Sequence, residues 1–426
     1  MKKKALIITY YWPPAGGSGV QRWLKFVKYF RDFGVEPVVY TVENPNYPIL
    51  DESLAKDIPE DIEILKQSIW EPNNLFAFFG KKKTESAGFL NPNPSLFGKM
   101  LQYIRANYFI PDARKFWVKP STSYLKKYLK LNKIDVVITT GPPHSLHLIG
   151  LNLKKELNIK WIADFRDPWT EIDYFQQLPL TRNSIEKHLF LENEVLKNAD
   201  AVLVVGKTMR ENFTTFNNQV ITVTNGFDEE FTETFADLDP KFTVTHIGLM
   251  NADRNPKMLW EVLEEIISEN AEFAADFELK LIGKSDASVL TDISKHQLTK
   301  NVQIIDYVAH DKVVEFQKKS QVLLLIVNNV PSAKGIITGK IFEYLIAKRP
   351  ILSIAPTNGD LAEILKETNG GLVVDFGNNQ TLKSAILNLY AKFKQGNLTA
   401  ESKNIAQFHR KNLTKKVSEL IYKITE

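Results

Sequence analysis

Cysteine is absent from all 426 residues. The chain can therefore form no disulfide, no thiolate metal site and no thiol nucleophile, a composition that fits a reducing compartment. Histidine is scarce too. The seven are scattered and no His-Glu-x-x-His string occurs, so no metal-ligand cluster is expected. No apolar run approaches the roughly 20 residues of a membrane span. The start, M-K-K-K-A-L-I-I-T-Y-Y-W-P-P, has the charge of a signal peptide, but its apolar stretch is short and ends at Pro13-Pro14 without a small-residue cleavage site. Ala5–Tyr10 reads instead as a buried strand and the chain as cytoplasmic. Neither sign of charge dominates: 54 Lys and Arg face 50 Asp and Glu, which argues against a nucleic-acid partner.

What is present is alternation. Short β-branched apolar runs at Ala5–Tyr10, Glu36–Tyr40, Asp135–Thr139, Lys160–Ala163, Ala201–Val205 and Val220–Val223 read as strands. Helix-period segments lie between them, at Val20–Asp32, His144–Leu157, Ser184–Lys197 and Thr208–Phe216. The second half repeats the pattern. Strands are expected at Thr243–Ile247, Glu278–Ile282, Val302–Ile305, Gln321–Val327, Ile351–Ile354 and Gly371–Val374. Helices are expected at Pro256–Asn270, Asp311–Lys318, Gly339–Ala347, Leu361–Glu367 and Leu382–Lys394. Such alternation predicts mostly parallel sheets. Two runs of it predict two doubly wound α/β domains, each large enough for its own core. The break falls in the acidic stretch from about Asp228 to Lys241, giving domains of 1–228 and 229–409. A last long helix is expected from about Thr399 to Ile424.

One region departs from the alternation. Lys81 to Lys133 holds twelve Lys and Arg against two acids, together with Phe89, Phe97, Tyr103, Tyr108, Phe109, Phe116, Trp117, Tyr124 and Tyr128. A basic, aromatic patch suits an anionic membrane surface, a polyphosphate or nucleic acid. A solvated insertion with its aromatics in the core accounts for it equally well.

The richest motif is G-I-I-T-G-K-I-F-E-Y-L-I-A-K-R-P-I-L, Gly335 to Leu352. It follows a strand and a loop and opens a helix near Thr338-Gly339, where backbone N–H groups can hold an anion. Lys340 and Glu343 lie three apart and project from one side. A lysine suits a phosphate and a glutamate suits paired sugar hydroxyls. Such a site belongs at the carboxyl end of a strand in an open α/β sheet.

Further motifs sit at other strand ends. The loop P-P-A-G-G-S-G-V-Q-R, Pro13 to Arg22, follows the first strand and opens the first helix, so its N–H groups could face a diphosphate. A tight turn without a ligand is the competing reading. Its glycine spacing is neither a dinucleotide fingerprint nor a phosphate loop of Walker type. In G-P-P-H-S-L-H, His144 stands at a helix start and His147 nearly a turn on. In W-I-A-D-F-R-D-P-W, alternation puts Asp164 and Arg166 on one side and Asp167 on the other. A carboxylate there can accept from a hydroxyl or act as base; an internal Asp–Arg pair is the competing reading. V-T-N-G-F-D ends the first domain, and its Asp228 can cap or bridge to the second. H-I-G-L-M-N-A-D-R-N-P places Gly248 at a strand end and Arg254 just before a helix, where a guanidinium can hold a diphosphate. L-I-G-K-S places Gly283 at another strand end. V-V-G-K-T, Val204 to Thr208, lacks the upstream glycine of a phosphate loop.

The Gly335–Leu352 segment resembles the signature of retaining glycosyltransferases of family 4. Glu343 takes the place of the second glutamate of the family's pair, and Gly335 stands where the first would be. The departure is that of a subset reading G-K-x-F-E-Y-L. V-T-N-G-F-D is similar to the family's N-G-[VF]-D. The Gly16-Gly17 loop is similar to its N-terminal loop, and D-F-R-D-P-W resembles a string of one subset. The resemblance implies a GT-B architecture, two Rossmann-like domains facing a cleft, with the final helix (about 410–426) returning to the first domain. It implies a nucleoside diphosphate sugar donor held mainly by the second domain. Glu343 would take ribose, and Gly283 would lie beside the base. Arg254, Lys340 and the Thr338–Gly339 turn would hold the leaving diphosphate. Gly16, Gly17 and His144 would orient sugar and acceptor, and Asp167 would serve acceptor binding. No cofactor or metal is implied. A glycan or lipid-linked acceptor in cell-surface polysaccharide assembly follows from family habit, with the enzyme peripheral at an anionic inner membrane face through 81–133. A nucleotide-sugar epimerase and an inactive scaffold of the same architecture are the alternatives.

Overall fold

The structure, a computed structural model, describes residues 2–71, 95–173, 175–229, 237–306, 308 and 310–426. The described chain divides into two compact units. One is Met1–Asp228 with Arg410–Glu426; the other is Glu229–His409.

The first unit is built on seven parallel strands: β1 (Lys3–Ile8), β2 (Val35–Val42), β3 (Glu63–Gln67), β4 (Val136–Gly141), β5 (Trp161–Phe165), β6 (Ala201–Val204) and β7 (Val220–Thr222). Their order in the sheet is β3-β2-β1-β4-β5-β6-β7. β1 pairs in register with β2 on one side and β4 on the other, Ala5 facing Pro37 and Val136. Strands covered on both faces need side chains apolar on both faces, and β1, β4 and β5 are buried almost throughout. One face packs Leu6, Val137, Trp161 and Leu146. The other packs Ile7, Ile138, Trp23 and Phe30. Into this second face the Arg410–Thr425 helix inserts Leu413, Val417, Leu420 and Ile421. Its Tyr422 hydroxyl donates to the Gly34 carbonyl at 3.0 Å.

The second unit repeats the design with six parallel strands: β8 (Phe242–Ile247), β9 (Phe277–Ile282), β10 (Val302–Ile305), β11 (Val322–Ile326), β12 (Ile351–Ile354) and β13 (Gly371–Val374). The order is β10-β9-β8-β11-β12-β13. In each sheet the chain builds outward from its first strand in one direction and then crosses to that strand's other side. Those reversals, between β1 and β4 and between β8 and β11, are where doubly wound sheets hold ligands beyond their carboxyl ends. Both units are Rossmann-like, as expected from the alternation.

Several details differ from the sequence reading. β3, E-I-L-K-Q, lies at the sheet edge with only partial burial, so it carries no apolar run to betray it. Positions 81–94 of the basic region, Phe89 among them, lie outside the described residues. The remainder of that region forms two helices, Leu96–Tyr108 and Lys115–Leu131. Of its aromatics Trp117 is buried, whereas Phe97 and Tyr108 are exposed. The last helix begins at Arg410 instead of near Thr399, after a short turn of helix at Ile405–Phe408. The helix after Gly339 spans Lys340–Ile346, seven residues, too few for aligned peptide dipoles to make an anion site on their own.

Candidate functional site

In the second unit, the loops after β8 and β11 bring the sequence candidates to the sheet reversal. Gly248 ends β8 with φ of 110°, a conformation that favours glycine. Lys340 fills the space beside it. A Cβ on Gly248 would come within 2.6 Å of Lys340 Cε and closer still to its ammonium. Gly283, after β9, packs against the Gly248 carbonyl, which would stand 3.0 Å from a Cβ at 283. Arg254 ends a short turn of helix, Ala252–Arg254, and its Nη1 donates to the Leu249 carbonyl at 2.8 Å. Glu343 stands one turn beyond Lys340, where its carboxylate accepts from Gln317 Nε2 at 3.1 Å. Thr338 and Gly339 lead directly into Lys340.

Positive charge gathers at this place. Burial, joined by the Arg254 charge and opposed by Glu343, brings Lys340 down to about 7. His246, on β8, is held well below the usual imidazole range by burial and then by the charges of Lys340 and Arg254. Two cations press on one another and on a neutral imidazole. In the loop that leads to Lys340, Ser332 Oγ and Thr338 Oγ1, hydroxyls able to donate to an anion, have no hydrogen-bond partner. The acceptors His246 Nε2, Asn251 Oδ1 and Asn328 Oδ1 are likewise unpartnered and would take hydroxyl or N–H donors. Each such atom costs about 1–3 kcal/mol unless something satisfies it. Native structures keep few of them.

In the first unit, Gly17, with φ of 85°, caps the Ser18–Phe30 helix. Gly16 N donates to the Ile49 carbonyl at 2.9 Å and Asp51 N to the Pro14 carbonyl at 2.8 Å, so the glycine loop lies along the Ile49–Asp51 segment. Arg166 joins this loop to the turn after β4: Nη1 donates to the Gly19 carbonyl at 2.7 Å, Nε to the Gly141 carbonyl at 3.3 Å, and Nη2 to the Pro142 carbonyl. His144 follows in that turn. Its ring stacks on Trp169 with centroids 5.1 Å apart and planes 9° from parallel. It is 8% exposed, and both ring nitrogens lack a partner. Burial, then His147, Arg166 and His188, hold it well below the usual imidazole range. The imidazole is therefore neutral, held by its faces, with its polar edge unspent.

Asp164 and Asp167 part company. Asp164 is fully buried and engaged by Arg22 Nη2 at 2.8 Å, Trp23 Nε1 at 2.7 Å and Thr140 Oγ1 at 2.9 Å. Its partner is thus Arg22 from the first helix, where the internal-pair reading put Arg166. Asp167, just beyond Arg166, has an accessible side chain at the bottom of surroundings dense enough that burial, opposed by the Arg166 charge, holds its carboxyl above the usual range. Asp228 is tied to the first helix of its own unit, accepting from Lys25 at 2.6 Å, Lys28 at 2.8 Å and Tyr29 at 2.7 Å. His147 Nδ1 bonds Thr139 Oγ1 at 2.9 Å, which places it deeper than His144.

Sequence reasoning missed Arg22, Gln317, Trp169 and the unpartnered Asn251, Asn328 and Ser332. Arg22 had a signal, a charge in an otherwise apolar helix face directly after the glycine loop. Among the described residues, no group of three or more His, Asp or Glu side chains is arranged to hold a metal. In the Asp-x-Asp string at Asp237 to Asp239, Asp239 is taken by Lys280 at 2.8 Å and Thr243 at 2.9 Å.

Two family models match the chain. Residues 86–231 match Glycosyltransferase Family 4, and residues 241–392 match Glycosyl transferases group 1. Solved structures match over nearly all of it. Sucrose-phosphate synthase from Thermosynechococcus elongatus is 15% identical, with a TM-score of 0.62 and 99% of each chain covered. TarM from S. aureus, in complex with fondaparinux, alpha-GlcNAc-glycerol and UDP, is 12% identical with a TM-score of 0.57, covering 99% of this chain and 98% of that one. A putative UDP-N-acetylglucosamine 2-epimerase from Listeria monocytogenes is 12% identical with a TM-score of 0.55, covering 99% and 96%. At such identities the likeness is one of fold. No curated protein sequence matches the chain.

Proposed function

We infer that this chain, a family-4-like glycosyltransferase of the GT-B type, moves a sugar from a nucleoside diphosphate sugar to a hydroxyl of a glycan or lipid-linked acceptor, with retention. The observation that carries the reading is the closeness of Lys340 and Arg254 at the second unit's sheet reversal, with the unpartnered hydroxyls of Ser332 and Thr338 in the loop that leads to Lys340. Two mutually repelling cations, one of them pushed toward neutrality, are most readily explained by a polyanion that binds there.

In this reading the second unit binds the nucleotide. Glu343, steadied by Gln317, takes the ribose hydroxyls. Lys340 and Arg254 neutralise the charge that grows on the diphosphate as its bond to the anomeric carbon breaks. The new bond forms from the acceptor oxygen to that carbon on the face the diphosphate leaves. The acceptor proton passes to the departing diphosphate. No side chain acts as a covalent nucleophile, and the two cations do the work that a divalent metal does elsewhere. The first unit serves the acceptor side, with the Gly16-Gly17 loop, His144 and Asp167 as its polar groups. The acceptor belongs to cell-surface polysaccharide assembly, and the enzyme works peripherally at an anionic membrane face.

Thermal shifts against UDP-, GDP-, dTDP- and ADP-sugars, each with and without EDTA, test the donor site. One nucleotide class is expected to stabilise the protein whether or not EDTA is present, and Arg254→Ala and Glu343→Ala to lose that stabilisation. Unchanged binding in both variants would place the donor elsewhere. Conversion of the bound sugar without any acceptor would mean an epimerase.

A further inference from the structure

The helix that begins at the His144 turn has no cap of its own. A helix leaves its first N–H groups without partners inside it, and the residue just before it normally accepts from one of them through a short polar side chain. Ser95 and Thr181 do so for the Leu96–Tyr108 and Arg182–Asn198 helices. Before the Ser145–Leu157 helix that position is held by His144, whose side chain makes no capping bond. Its ring lies against Trp169 instead.

The missing acceptor comes from another part of the chain. Asp112, 33 positions before Ser145, accepts from Ser145 N at 2.9 Å with one carboxylate oxygen and from Ser145 Oγ at 2.8 Å with the other. The corner that carries Asp112 is itself fixed. Its second oxygen also accepts from Arg114 N at 2.8 Å. The Arg114 guanidinium lies 4.7 Å from the centre of the Tyr10 ring and 3.1 Å from Glu71, to which the Tyr10 hydroxyl donates at 2.8 Å. Trp117, fully buried, anchors the helix that follows. On the other side of His144, Trp169 is held as firmly. Its Nε1 donates to His188 Nδ1 at 2.9 Å and its backbone N to Glu192 at 3.3 Å. The His144 nitrogens have no partner, so the place of the ring is set by its stack and by the backbone at 144–145.

We propose that Asp112 is a positioning residue, whose carboxylate holds the start of the Ser145–Leu157 helix so that the His144 imidazole stays stacked on Trp169 with its unpartnered edge available to substrate. A carboxylate suits the task, since it serves two donors at once and complements the partial positive charge of a helix start. A serine or aspartate at 144 would cap the helix locally but would leave no imidazole there. Taking the ring from one segment and the cap from another is what lets a histidine occupy this position. This deepens the reading of His144 given above and rests on it, but the first arm of its test needs neither donor nor acceptor, so the two can fail separately.

That arm is nuclear magnetic resonance of the full chain with ring-labelled histidine. Seven histidines give few signals, and His144→Phe identifies the one that matters. In the wild type burial, joined by the Arg166 charge, keeps this imidazole neutral, so its signal should hold still from mildly acidic to neutral pH. In Asp112→Ala the turn loosens, and the ring should titrate with a midpoint rising toward the ordinary value of about 6.5. Loss of a nearby negative charge can only lower that midpoint, so a rise reports a released ring. His147, bonded to Thr139 Oγ1 at 2.9 Å, should keep its signal and so report an intact fold. Asp112→Asn keeps one accepting oxygen and should shift the midpoint less; it decides the question if the alanine variant does not fold. An unmoved His144 signal, or a His147 signal that moves with it in both variants, would overturn the role of Asp112. The second arm is hydrolysis of whichever UDP-, GDP-, dTDP- or ADP-sugar stabilises the protein. Asp112→Ala should slow it about fivefold, the effect of a lost cap on the population of an ordered turn, and no more than about twofold in the His144→Phe background. Equal losses in both backgrounds would make Asp112 a staple of the fold alone. If His144→Phe by itself leaves hydrolysis unchanged, the reading of His144 fails, and the ring signals still decide whether Asp112 holds it.

Discussion

Lys340 stands where a side chain on Gly248 would have to be. The glycine at the end of β8 is thus less a turn than a seat, and the cation it seats belongs to a segment ninety-two positions further on. Gly248→Ala forces the ammonium out and strains a backbone at φ of 110°. The expected cost is about 1–3 kcal/mol of stability, read by chemical denaturation, with donor affinity falling at least about tenfold because an ion-paired contact is lost. Gly396→Ala is the control. Its φ is 69° and its Cβ would meet nothing within 4 Å, so it should share the strain and spare the binding.

The depressed Lys340 sets a pH dependence with a definite sign. Burial and the nearby Arg254 bring it to about 7, so the free protein holds an ammonium below that pH and an amine above it. A bound diphosphate favours the ammonium. Donor binding therefore takes up a proton above neutrality, and affinity should be flat at low pH and fall by up to about tenfold per unit as pH rises beyond the free value. Calorimetry in buffers of different ionisation enthalpy measures that uptake directly. Lys340→Arg should abolish the slope, since arginine does not titrate in this range. A slope retained in that variant would assign the proton to another group.

Asp164 carries a structural load. It is fully buried, and Arg22, Trp23 and Thr140 all bond to it. Truncation to alanine leaves the Arg22 guanidinium, itself fully buried, without its counter-charge. The expected loss is about 3–5 kcal/mol, read from urea or guanidinium unfolding. Asp167→Ala, at an exposed position, should change stability by less than about 0.5 kcal/mol. If it lowers turnover without touching donor affinity, it acts on the acceptor.

His144 separates stacking from polarity. His144→Phe keeps a ring against Trp169 but removes both unpartnered nitrogens. Turnover is expected to drop about tenfold or more, the scale of a lost hydrogen bond to a reacting sugar, with melting temperature preserved. His144→Gln should recover part of the loss. Because burial, joined by the Arg166 charge, keeps the imidazole neutral, no limb of the pH–rate profile should belong to it.

Much of the architecture was legible because parallel strands buried on both faces must be apolar on both faces. β1, β4, β8 and β11 announce themselves in this way. β3 does not, since an edge strand reading E-I-L-K-Q has one neighbour and a wet face. The helices at Leu96–Tyr108 and Lys115–Leu131 were obscured by their charge, because their apolar residues do not all turn inward. At the sites, cations and glycines at strand ends were legible one at a time. Their relations were not: Arg22 meets Asp164 across 142 positions, and Gln317 reaches Glu343 from a different helix. Nor can a sequence show that the Thr338 hydroxyl lacks a partner. That is a property of everything packed around it.

The placement of the Arg410–Thr425 helix bears on how the protein is made. Its Leu413, Val417, Leu420 and Ile421 complete the face formed by Ile7, Trp23 and Phe30, yet they leave the ribosome after the whole of the second unit. During synthesis the first-made sheet must wait with one apolar face open, exposed to its own kind and to chaperones. A chain stopped before Arg410 should have a finished second unit and a sticky, unfinished first one. Limited proteolysis of that truncation would then leave Glu229–His409 as the surviving core.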